Sequence, residues 1–299
     1  MGRGAFARVD IHATTPLRSL QLAEQFRNPV REKLLSYRFA IDPGLAVLCY
    51  KAFALWFLGF PDQAAQVREQ VRVELLSHSH ANTVATCNFI AISLPELMSG
   101  EAEACEVHSA ELVTYATEKK VEQFRLVGVV LHACARATRE PTEEKIAALR
   151  AAMQDHHRSG ARITDSLFMC FLAQVLLGAG LVKDAEEALQ EAFVTVEQSR
   201  ERFWLAELHR IGGGIALMES DPLRAEACFL RAIEIARQQE ARLLELRAAT
   251  DLARLWRETG SLNDPRELLE PILAAIEGGE TTRDVRHARA LLVEAPNRN

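Results

Sequence analysis

Apolar and polar positions follow a helical spacing in two adjacent stretches between residues 42 and 75. Asp42 and Pro43 start the first stretch, because an Asp side chain caps free helix amides and Pro fits the first helical turn. Gly59 ends this stretch, and Pro61 opens the second one. Apolar residues of the second stretch recur every three or four positions; they are Ala64, Val67, Val71 and Leu75. The pattern predicts a helical hairpin.

The same hairpin recurs along the chain at a nearly constant step. Six turn marks, most of them small or turn-forming residues between two helical stretches, are 40 or 41 residues apart; they are Gly59, Gly100, Glu140, Gly180, Ser220 and Gly260. The later predicted helix pairs are 81–99 with 102–118, 121–138 with 142–157, 162–178 with 182–198, 201–218 with 222–238, and 241–258 with 263–277. Strand-like alternation is absent from the sequence. Because a period between about 20 and 50 residues is typical of stacked repeats, we predict an all-α solenoid of about six helix-turn-helix repeats with a capping helix at 281–293.

Composition and charge narrow the classes of partner. Of the 299 residues, 48% are hydrophobic and 25% are charged, which fits a folded chain with ample apolar surface to bury. The net charge of −6 gives no basic excess of the kind that binding to DNA or RNA requires. We therefore expect a protein or peptide partner and no nucleic acid.

Cysteine usage and the N-terminal residues favour a cytoplasmic protein. The six cysteines are scattered through apolar helical surroundings, where free Cys behaves as a small hydrophobe, and none belongs to a C-x-x-C pair. Residues 1–17 contain no apolar core long enough for a signal peptide. The longest apolar stretch, Leu45 to Phe60, contains Lys51 and is shorter than the roughly 20 residues that span a membrane. We expect this stretch to pack inside the protein, with no membrane contact.

Three segments carry a resemblance to a bacterial module. They are LAVLCYKAFALWFLGFPDQA at 45–64, ERFWLAELHR at 201–210 and ELRAATDLARLWRETG at 245–260. They resemble the tetratricopeptide-type C-terminal region of multidomain adenylate/guanylate cyclase-like proteins, in which a cyclase domain and a P-loop ATPase precede the repeats. The resemblance covers residues 31–293, with 1–30 as a divergent N-terminal segment and 294–299 as a polar tail. It implies a right-handed solenoid that acts as a regulatory, protein-binding platform in bacterial signal transduction.

No catalytic residue of that family is carried by this chain. The sequence has no G-x-x-x-x-G-K-[ST] phosphate loop and nothing that corresponds to the paired aspartates that hold the cyclase metal ions. Histidines and cysteines, such as Cys105 with His108, lack further ligands at matching spacing. We therefore predict a non-enzymatic protein that uses no cofactor and no metal.

Two places strain the helical pattern. Pro95 falls inside a predicted helix, where its missing amide and its ring predict a kink or a helix end. Gly212, Gly213 and Gly214 fall inside another helix, although each glycine destabilises a helix interior by up to about 1 kcal/mol relative to Ala. Gly213 lies seven residues before the mark at Ser220, the position at which tetratricopeptide helices pack too closely for a larger side chain. We expect a close helix contact at Gly213.

The repeat register also predicts which side chains face the groove. In tetratricopeptide stacks the first helix of each pair lines the concave face, at the second, fifth, ninth and twelfth positions when the turn mark is the fifteenth. The first four units place mainly apolar residues there, among them Phe53, Trp56, Ile90 and Val130. The last two units place a polar set there, in which half of the residues are arginines: Glu207, Arg210, Gly214, Leu217, Arg247, Thr250, Arg254 and Arg257.

We therefore predict a partner-binding site in this groove. Its C-terminal half is predicted to bind an acidic peptide segment, because arginine pairs its planar guanidinium with carboxylates and keeps its charge. Its N-terminal half is predicted to accept an apolar helix or to be closed by residues 1–30. The predicted site residues are Glu207, Arg210, Arg247, Arg254, Arg257, Phe53 and Trp56. The alternative interpretation is that the arginines pair with Glu207, Glu245 and Glu258 and only keep the stack soluble.

Two other functional classes stay open from the sequence. A small-molecule sensor would enclose its ligand in the apolar half of the groove, in a cavity of about 300 Å³ or more lined by Phe53, Trp56, Ile90 and Val130. A detached regulatory part of a nucleotide cyclase or ATPase is the other class, and the absence of both nucleotide motifs argues against an enzymatic subunit. We favour a non-catalytic interaction scaffold.

Overall fold

Helices account for every regular element among residues 14–160 and 164–294, the part of the chain that this computed structural model describes. In chain order they are α1 (Thr14–Gln25), α2 (Pro29–Phe39), α3 (Pro43–Leu58), α4 (Pro61–Leu75), α5 (Ala81–Cys87), a π-helical segment (Asn88–Ser93), α6 (Leu94–Met98), α7 (Ala102–Glu118), α8 (Glu122–Arg139), α9 (Glu143–Arg158), α10 (Asp165–Gly178), α11 (Val182–Ser199), α12 (Leu205–Met218), α13 (Pro222–Gln238), α14 (Arg242–Thr259), α15 (Pro265–Ala274) and α16 (Arg283–Glu294). The predicted all-α class is confirmed. The predictions for residues 1–13 and 295–299 lie outside the described residues.

The helices pack in sequential antiparallel pairs. Each of the six pairs joins an inner helix to the outer helix that follows it: α3 with α4, α5–α6 with α7, α8 with α9, α10 with α11, α12 with α13, and α14 with α15. Each inner helix also contacts the inner helix of the next pair, and the apolar side chains of both layers form a continuous core. This arrangement is consistent with the predicted helical repeat array.

The longest apolar stretch forms α3 and lies in the core. The Asp42 carboxylate caps α3 by accepting hydrogen bonds from the amides of Gly44 and Leu45, at 2.9 and 3.1 Å. Gly59 ends the helix with a φ of 90°, so both predicted ends are confirmed. None of the helices in the described part is both long and apolar enough to cross a membrane.

Left-handed backbone residues mark the turns inside the pairs. Five of the six predicted turn marks have a positive φ; they are Gly59, Gly100, Gly180, Ser220 and Gly260. Glu140 differs, because its backbone is extended, with a φ of −149°. In that pair Thr142 starts the outer helix instead, by accepting a hydrogen bond from the amide of Lys145.

A second set of left-handed residues lies before the first pair and between the second and later pairs. Its members recur with the same period as the turn marks and are offset from them by about half of it: Ala40, Lys120, Gly160, Arg200 and Glu240. No pattern in the sequence predicts these turns. Residues other than glycine rarely adopt a positive φ, so most of these positions carry no readable local signal.

Pro95 distorts the inner helix of the second pair, as predicted. A π-helical segment precedes it, in which the amide of Leu94 donates to the carbonyl of Phe89, five residues earlier. Pro95 then stands in the first turn of α6, where a missing amide is tolerated. The carbonyl of Ala91, which an amide at position 95 would normally reach, accepts a hydrogen bond of 2.9 Å from Arg68 Nε. The outer helix α4 thus supplies a donor that proline lacks.

Gly213 brings α12 close to α13. A Cβ atom on Gly213 would lie 2.3 Å from Cε1 of Phe229, a distance that real Cβ atoms do not show. Phe229 is only 1% exposed, so its ring has little room to move away. The close contact predicted at Gly213 is confirmed.

The inner layer closes on itself. Helix α14 of the last pair contacts α3 of the first pair, and α16 packs against α14 and α15 at the end of the array. The amide of Glu277 donates to the carbonyl of Gly59 at 2.9 Å, and Gly278 lies against the carboxylate of Asp62. In a solenoid whose units contact only their neighbours the groove stays open; here the two ends of the array meet and reduce it to small cavities.

Replacing Gly213 by Ala tests the close helix contact. In a helix interior, alanine is more stable than glycine by about 1 kcal/mol. At this position, however, its Cβ would overlap the Phe229 ring, and such overpacking destabilises the folded protein by about 1–3 kcal/mol. We expect the free energy of unfolding, measured by urea denaturation, to fall by about 1–2 kcal/mol.

Gly178→Ala is the matched control, because Gly178 ends α10 and no atom lies within 4 Å of where its Cβ would be. Its free energy of unfolding should stay equal or rise by up to about 1 kcal/mol. Adding Phe229→Leu to Gly213→Ala replaces the ring by a smaller side chain, and this double variant should recover part of the stability that Gly213→Ala loses. A Gly213→Ala protein as stable as the Gly178→Ala protein would contradict the contact.

Candidate partner-binding site

Aromatic rings from the first and fifth pairs meet at the centre of the inner layer. The Phe57 ring centroid lies 5.6 Å from those of Phe203 and Trp204, and the Phe53 centroid lies 6.1 and 6.5 Å from the same two. Trp56 is 6% exposed and Trp204 is 4% exposed. We expected an apolar helix or residues 1–30 to cover this half of the groove. Helix α1, which lies within residues 1–30, packs against α3, and the fifth and sixth pairs contact the rings of Phe53 and Trp56. Trp56 therefore belongs to the core, and Phe53 is half-buried against it.

Two charged side chains form a buried ion pair next to these rings. The guanidinium of Arg210 donates two hydrogen bonds to the carboxylate of Glu207, at 2.6 and 3.0 Å. Arg210 also donates to Asp251 of α14 at 2.7 Å. Only 5% of the Glu207 side chain and 17% of the Arg210 side chain are exposed. Arg210 therefore joins α12 to α14 inside the protein.

Burial and pairing act in opposite directions on the pKa values of this pair. Burial raises the pKa of Glu207, but the charge and hydrogen bonds of Arg210 and the charge of Arg247 outweigh burial and hold that pKa below its ordinary value. Burial lowers the pKa of Arg210, yet Glu207 and Asp251 hold it well above its ordinary value. Glu207 and Arg210 are therefore both charged at neutral pH.

Arg247 connects the last pair to the first two pairs. Its guanidinium donates to Asp284 of α16 at 2.8 Å and to the carbonyl of Met98 at the end of α6. Its central carbon lies 5.2 Å from the centroid of the Trp56 ring, where a cation and an indole attract each other by about 0.5–2 kcal/mol. A nitrogen of the same group lies 4.0 Å from Glu207. One side chain thus contacts α3, α6, α12 and α16.

A cavity of about 90 Å³ lies in the middle of this cluster. Its apolar wall comes from α6, α10 and the Trp204 ring. Its polar wall holds four arginines and three carboxylates, together with His287; they are Arg210, Arg247, Arg254, Arg283, Glu207, Asp251 and Asp284. Arg254 and Arg283 are exposed and form the mouth. The lining therefore has one more arginine than carboxylate.

The structure brings most of the predicted polar site residues together. Four of them line this cavity: Glu207, Arg210, Arg247 and Arg254. Arg257 is exposed and is not among the lining residues. The alternative interpretation holds in part, because Arg210 pairs with Glu207. Arg254 pairs with Asp251 at 3.1 Å, a partner that was not predicted, and Glu245 pairs with Arg237 and Arg242, which are not groove positions. Whether a partner binds at these residues stays a prediction.

The capping helix α16 supplies lining residues that the repeat pattern does not predict. Arg283, Asp284 and His287 all lie in the first part of α16. The repeat register assigns them no position, because α16 lies beyond the last pair. One signal in the sequence does relate them: Arg283 and Asp284 lie four and three residues before His287, a spacing that places side chains on one helix face.

The cavity next to Phe53 and Trp56 is too small for the apolar sensor pocket considered above. Its volume is about 120 Å³, and Ile90 and Val130 are not among its lining residues. Ligand pockets for small molecules have volumes of about 300 Å³ or more. This cavity therefore does not favour a small-molecule sensor.

Burial keeps the thiols of three cysteines protonated. It raises the pKa of Cys105 to about 12 and raises the pKa values of Cys134 and Cys170 well above their ordinary value, so these thiols stay protonated at neutral pH. His108 lies with Nδ1 2.9 Å from the carboxylate of Glu96, and not in a metal site with Cys105. Within the described ranges, no group of three or more His, Cys, Asp or Glu side chains is placed to hold a metal ion.

A comparison with known proteins finds a relative of much greater length. No family model matches the chain. The chain is 26% identical over 207 residues to an uncharacterized protein of Rhizobium meliloti (strain 1021). The match covers 68% of this chain and 20% of that protein, so the chain spans about a fifth of the length of its relative.

Replacing Glu207 by Gln tests whether the buried cluster holds the array together. Gln keeps the shape of the side chain but removes the charge that Arg210 and Arg247 face. Breaking a buried ion pair destabilises a protein by about 3–5 kcal/mol. Because Gln still accepts a hydrogen bond, we expect the free energy of unfolding at pH 7 to fall by about 2–4 kcal/mol in urea denaturation.

The pH dependence of this difference is a second readout. Since the pKa of Glu207 is lowered in the folded protein from its ordinary value of 4.5, its charge stabilises the fold above that value. The stabilisation is lost as the pH falls through the lowered pKa, so the difference between wild type and Glu207→Gln should shrink below pH 4.5. Glu234→Gln is the control, because Glu234 forms an exposed pair with Arg231 and should change stability by less than about 0.5 kcal/mol. Equal stability of the two variants at pH 7 would contradict the role of the cluster.

Proposed function

We propose that this protein is a non-catalytic interaction module that binds an acidic segment of a partner protein at the arginine-lined cavity. It is proposed to regulate a signalling system in a bacterial cytoplasm. The observation that carries this proposal is the excess of arginine over carboxylate around the cavity, with Arg254 and Arg283 at its mouth.

The proposed architecture is a tetratricopeptide-like, right-handed solenoid. Three features support it: the step of about 40 residues between helix pairs, the left-handed turn residues at the predicted marks, and the close contact at Gly213. The right-handedness of the proposed solenoid rests on the family resemblance. The closed inner layer departs from the open groove that such a solenoid usually presents to a partner, so the binding site is a small polar cavity.

The regulatory part of the proposal rests on the resemblance of three segments to the C-terminal region of cyclase-like signalling proteins. The relative supports it indirectly, because a sequence of this kind also occurs within a chain about five times as long as the matched part. A module that lacks nucleotide motifs would contribute binding and regulation to such a system, and its partner would supply the chemistry.

An acidic group is the ligand that the cavity mouth would attract. Arg210 and Arg247 are each held by carboxylates inside the protein, so we assign them to the fold. Arg254 is 44% exposed and shares its ion-pair partner, Asp251, with Arg210. A guanidinium has several N–H donors in a fixed plane, so Arg254 keeps donors for a carboxylate of the partner. We therefore assign contact with the partner to Arg254 and Arg283.

Replacing Arg254 and Arg257 together by Gln tests the partner site. Both residues are exposed on α14, so the free energy of unfolding should change by less than about 0.5 kcal/mol. A hydrogen bond to a charged group contributes about 1.5–3 kcal/mol, so the affinity for the partner should fall at least about tenfold. The partner is first isolated by affinity capture from native cell extract, and its affinity for each variant is then measured by calorimetry.

Single variants show which of the two arginines, Arg254 or Arg257, accounts for the loss of affinity. Arg254→Gln should account for most of the loss, because Arg257 does not line the cavity. Arg158→Gln is the control with the same charge change as each single variant, since Arg158 forms an exposed pair with Asp155 away from the cavity. If the double variant and Arg158→Gln bind the partner equally well, the proposed site is wrong.

A nucleotide-hydrolysis assay tests the non-catalytic part of the proposal. The purified chain should release phosphate from ATP or GTP no faster than a heat-denatured sample, because it has no phosphate loop. Hydrolysis that grows in proportion to the concentration of folded protein would favour the alternative, a detached part of a cyclase or ATPase that keeps an activity.

A further inference from the structure

We propose that the cavity binds a single oxyanion group, a carboxylate or a phosphate, between Arg254 of α14 and Arg283 of α16. This inference rests on the proposed function, because it names the chemical group that the same site recognises. The group belongs either to a free small ion or to an acidic side chain of the partner, and the recognition chemistry is the same for both sources.

The volume of the cavity fits one such group. The cavity has about 90 Å³ of space, whereas pockets that enclose a whole small molecule have about 300 Å³ or more. A helix with its side chains is about 10 Å wide and does not fit into it. A partner segment therefore stays outside and inserts one acidic group.

The charges of the lining favour an anion. Its carboxylates are already paired with lining arginines; the pairs are Glu207–Arg210, Asp251–Arg210, Asp251–Arg254 and Asp284–Arg247. Arg283 forms no ion pair with any residue in the described ranges, and its charge acts at longer range on the buried carboxylate of Glu207. Because the lining has four arginines and three carboxylates, an anion that reaches both Arg283 and Arg254 would balance its charge.

The chemistry of the mouth suits an oxyanion. Arginine presents parallel N–H donors that match two oxygens of a carboxylate or phosphate, and it keeps its charge at neutral pH. His287, one turn after Arg283 on α16, adds a third polar side chain to the lining. Three side chains from two helices thus surround the same small volume.

The position of Arg283 ties the site to the closure of the array. A Cβ atom on Gly100 would lie 2.6 Å from Nη1 of Arg283, so the guanidinium packs against a turn that has no side chain. Leu97 and Met98, which precede this turn, form part of the cavity wall. An oxyanion between Arg283 and Arg254 would therefore strengthen the contact of α14 and α16 with the second pair. A ligand that binds only the folded, closed protein also raises its stability.

Calorimetric titration of the full chain with three oxyanion probes tests the inference. The probes are inorganic phosphate, sodium acetate and a hexaglutamate peptide with blocked ends, and sodium chloride at equal ionic strength is the reference. We expect saturable binding of at least one probe and a melting temperature that rises with its concentration, and neither effect with chloride. Binding of phosphate or acetate identifies a free ion as a sufficient source, whereas binding of the peptide alone identifies an acidic side chain.

Variants at the mouth locate the binding. Arg283→Gln and Arg254→Gln should each weaken the probe that binds at least about tenfold. Arg289→Gln is the matched control, because Arg289 lies on the same helix, pairs with Glu280 and does not line the cavity. Circular dichroism establishes that each variant is folded. The inference is overturned if no probe binds better than chloride, or if Arg283→Gln and Arg254→Gln both bind as tightly as Arg289→Gln.

The results separate this inference from the proposed function. Oxyanion binding that is lost in Arg283→Gln, together with partner binding that Arg254 and Arg257 do not affect, would keep the inference and reject the function. Partner binding that depends on Arg254, without binding of any oxyanion probe, would reject the inference and keep the function.

Discussion

The contact between the first and last inner helices determines how the rest of the molecule is arranged. In a stacked-repeat protein each unit is stabilised by its neighbours, but here Arg247 of α14 also contacts the Trp56 ring of the first pair and the Met98 carbonyl of the second. Arg247 and Met98 are 149 residues apart in the chain, so their contact closes a long loop and restrains everything between them. The helix pairs therefore form a closed ring of contacts, in which the first and last pairs also contact each other.

Closure divides the inner face into two parts with different properties. On one side the rings of Phe57, Phe203 and Trp204 pack together and exclude water. On the other side Glu207 and Arg210 surround a small polar cavity. Replacing a buried ion pair by apolar residues is often neutral for stability. We therefore interpret this cluster mainly as an arrangement that fixes the position of α12 relative to α14. The carboxylate of Glu207 meets the guanidinium of Arg210 and the charge of Arg247 together only when α12 and α14 lie at one distance from each other.

The helices and the turns inside the pairs were predictable because they depend on residues close in the chain. Gly59 and Gly213 are examples, since a left-handed turn and a close helix contact both favour glycine at a defined position in the repeat. The turns between the pairs were not predictable, because Lys120 and Arg200 adopt the same left-handed backbone without a residue type that indicates it. The closing contact and the role of Arg283 were also missed, since they depend on the superhelical curvature summed over six pairs, which no local pattern records.

The closing contact and the proposed binding site share one helix and one set of carboxylates. Arg247 and Arg254 are about two turns apart on α14 and therefore lie on the same face. Arg254 shares Asp251 with Arg210, and Arg210 in turn holds Glu207, which faces Arg247. An acidic group that bound Arg254 would compete with Asp251 for this guanidinium and change the charge balance around Arg210 and Arg247. The proposed binding at the mouth would thus be linked through adjacent ion pairs to the contact that holds the first and last pairs together, a physical route from occupancy of the cavity to the closure of the array.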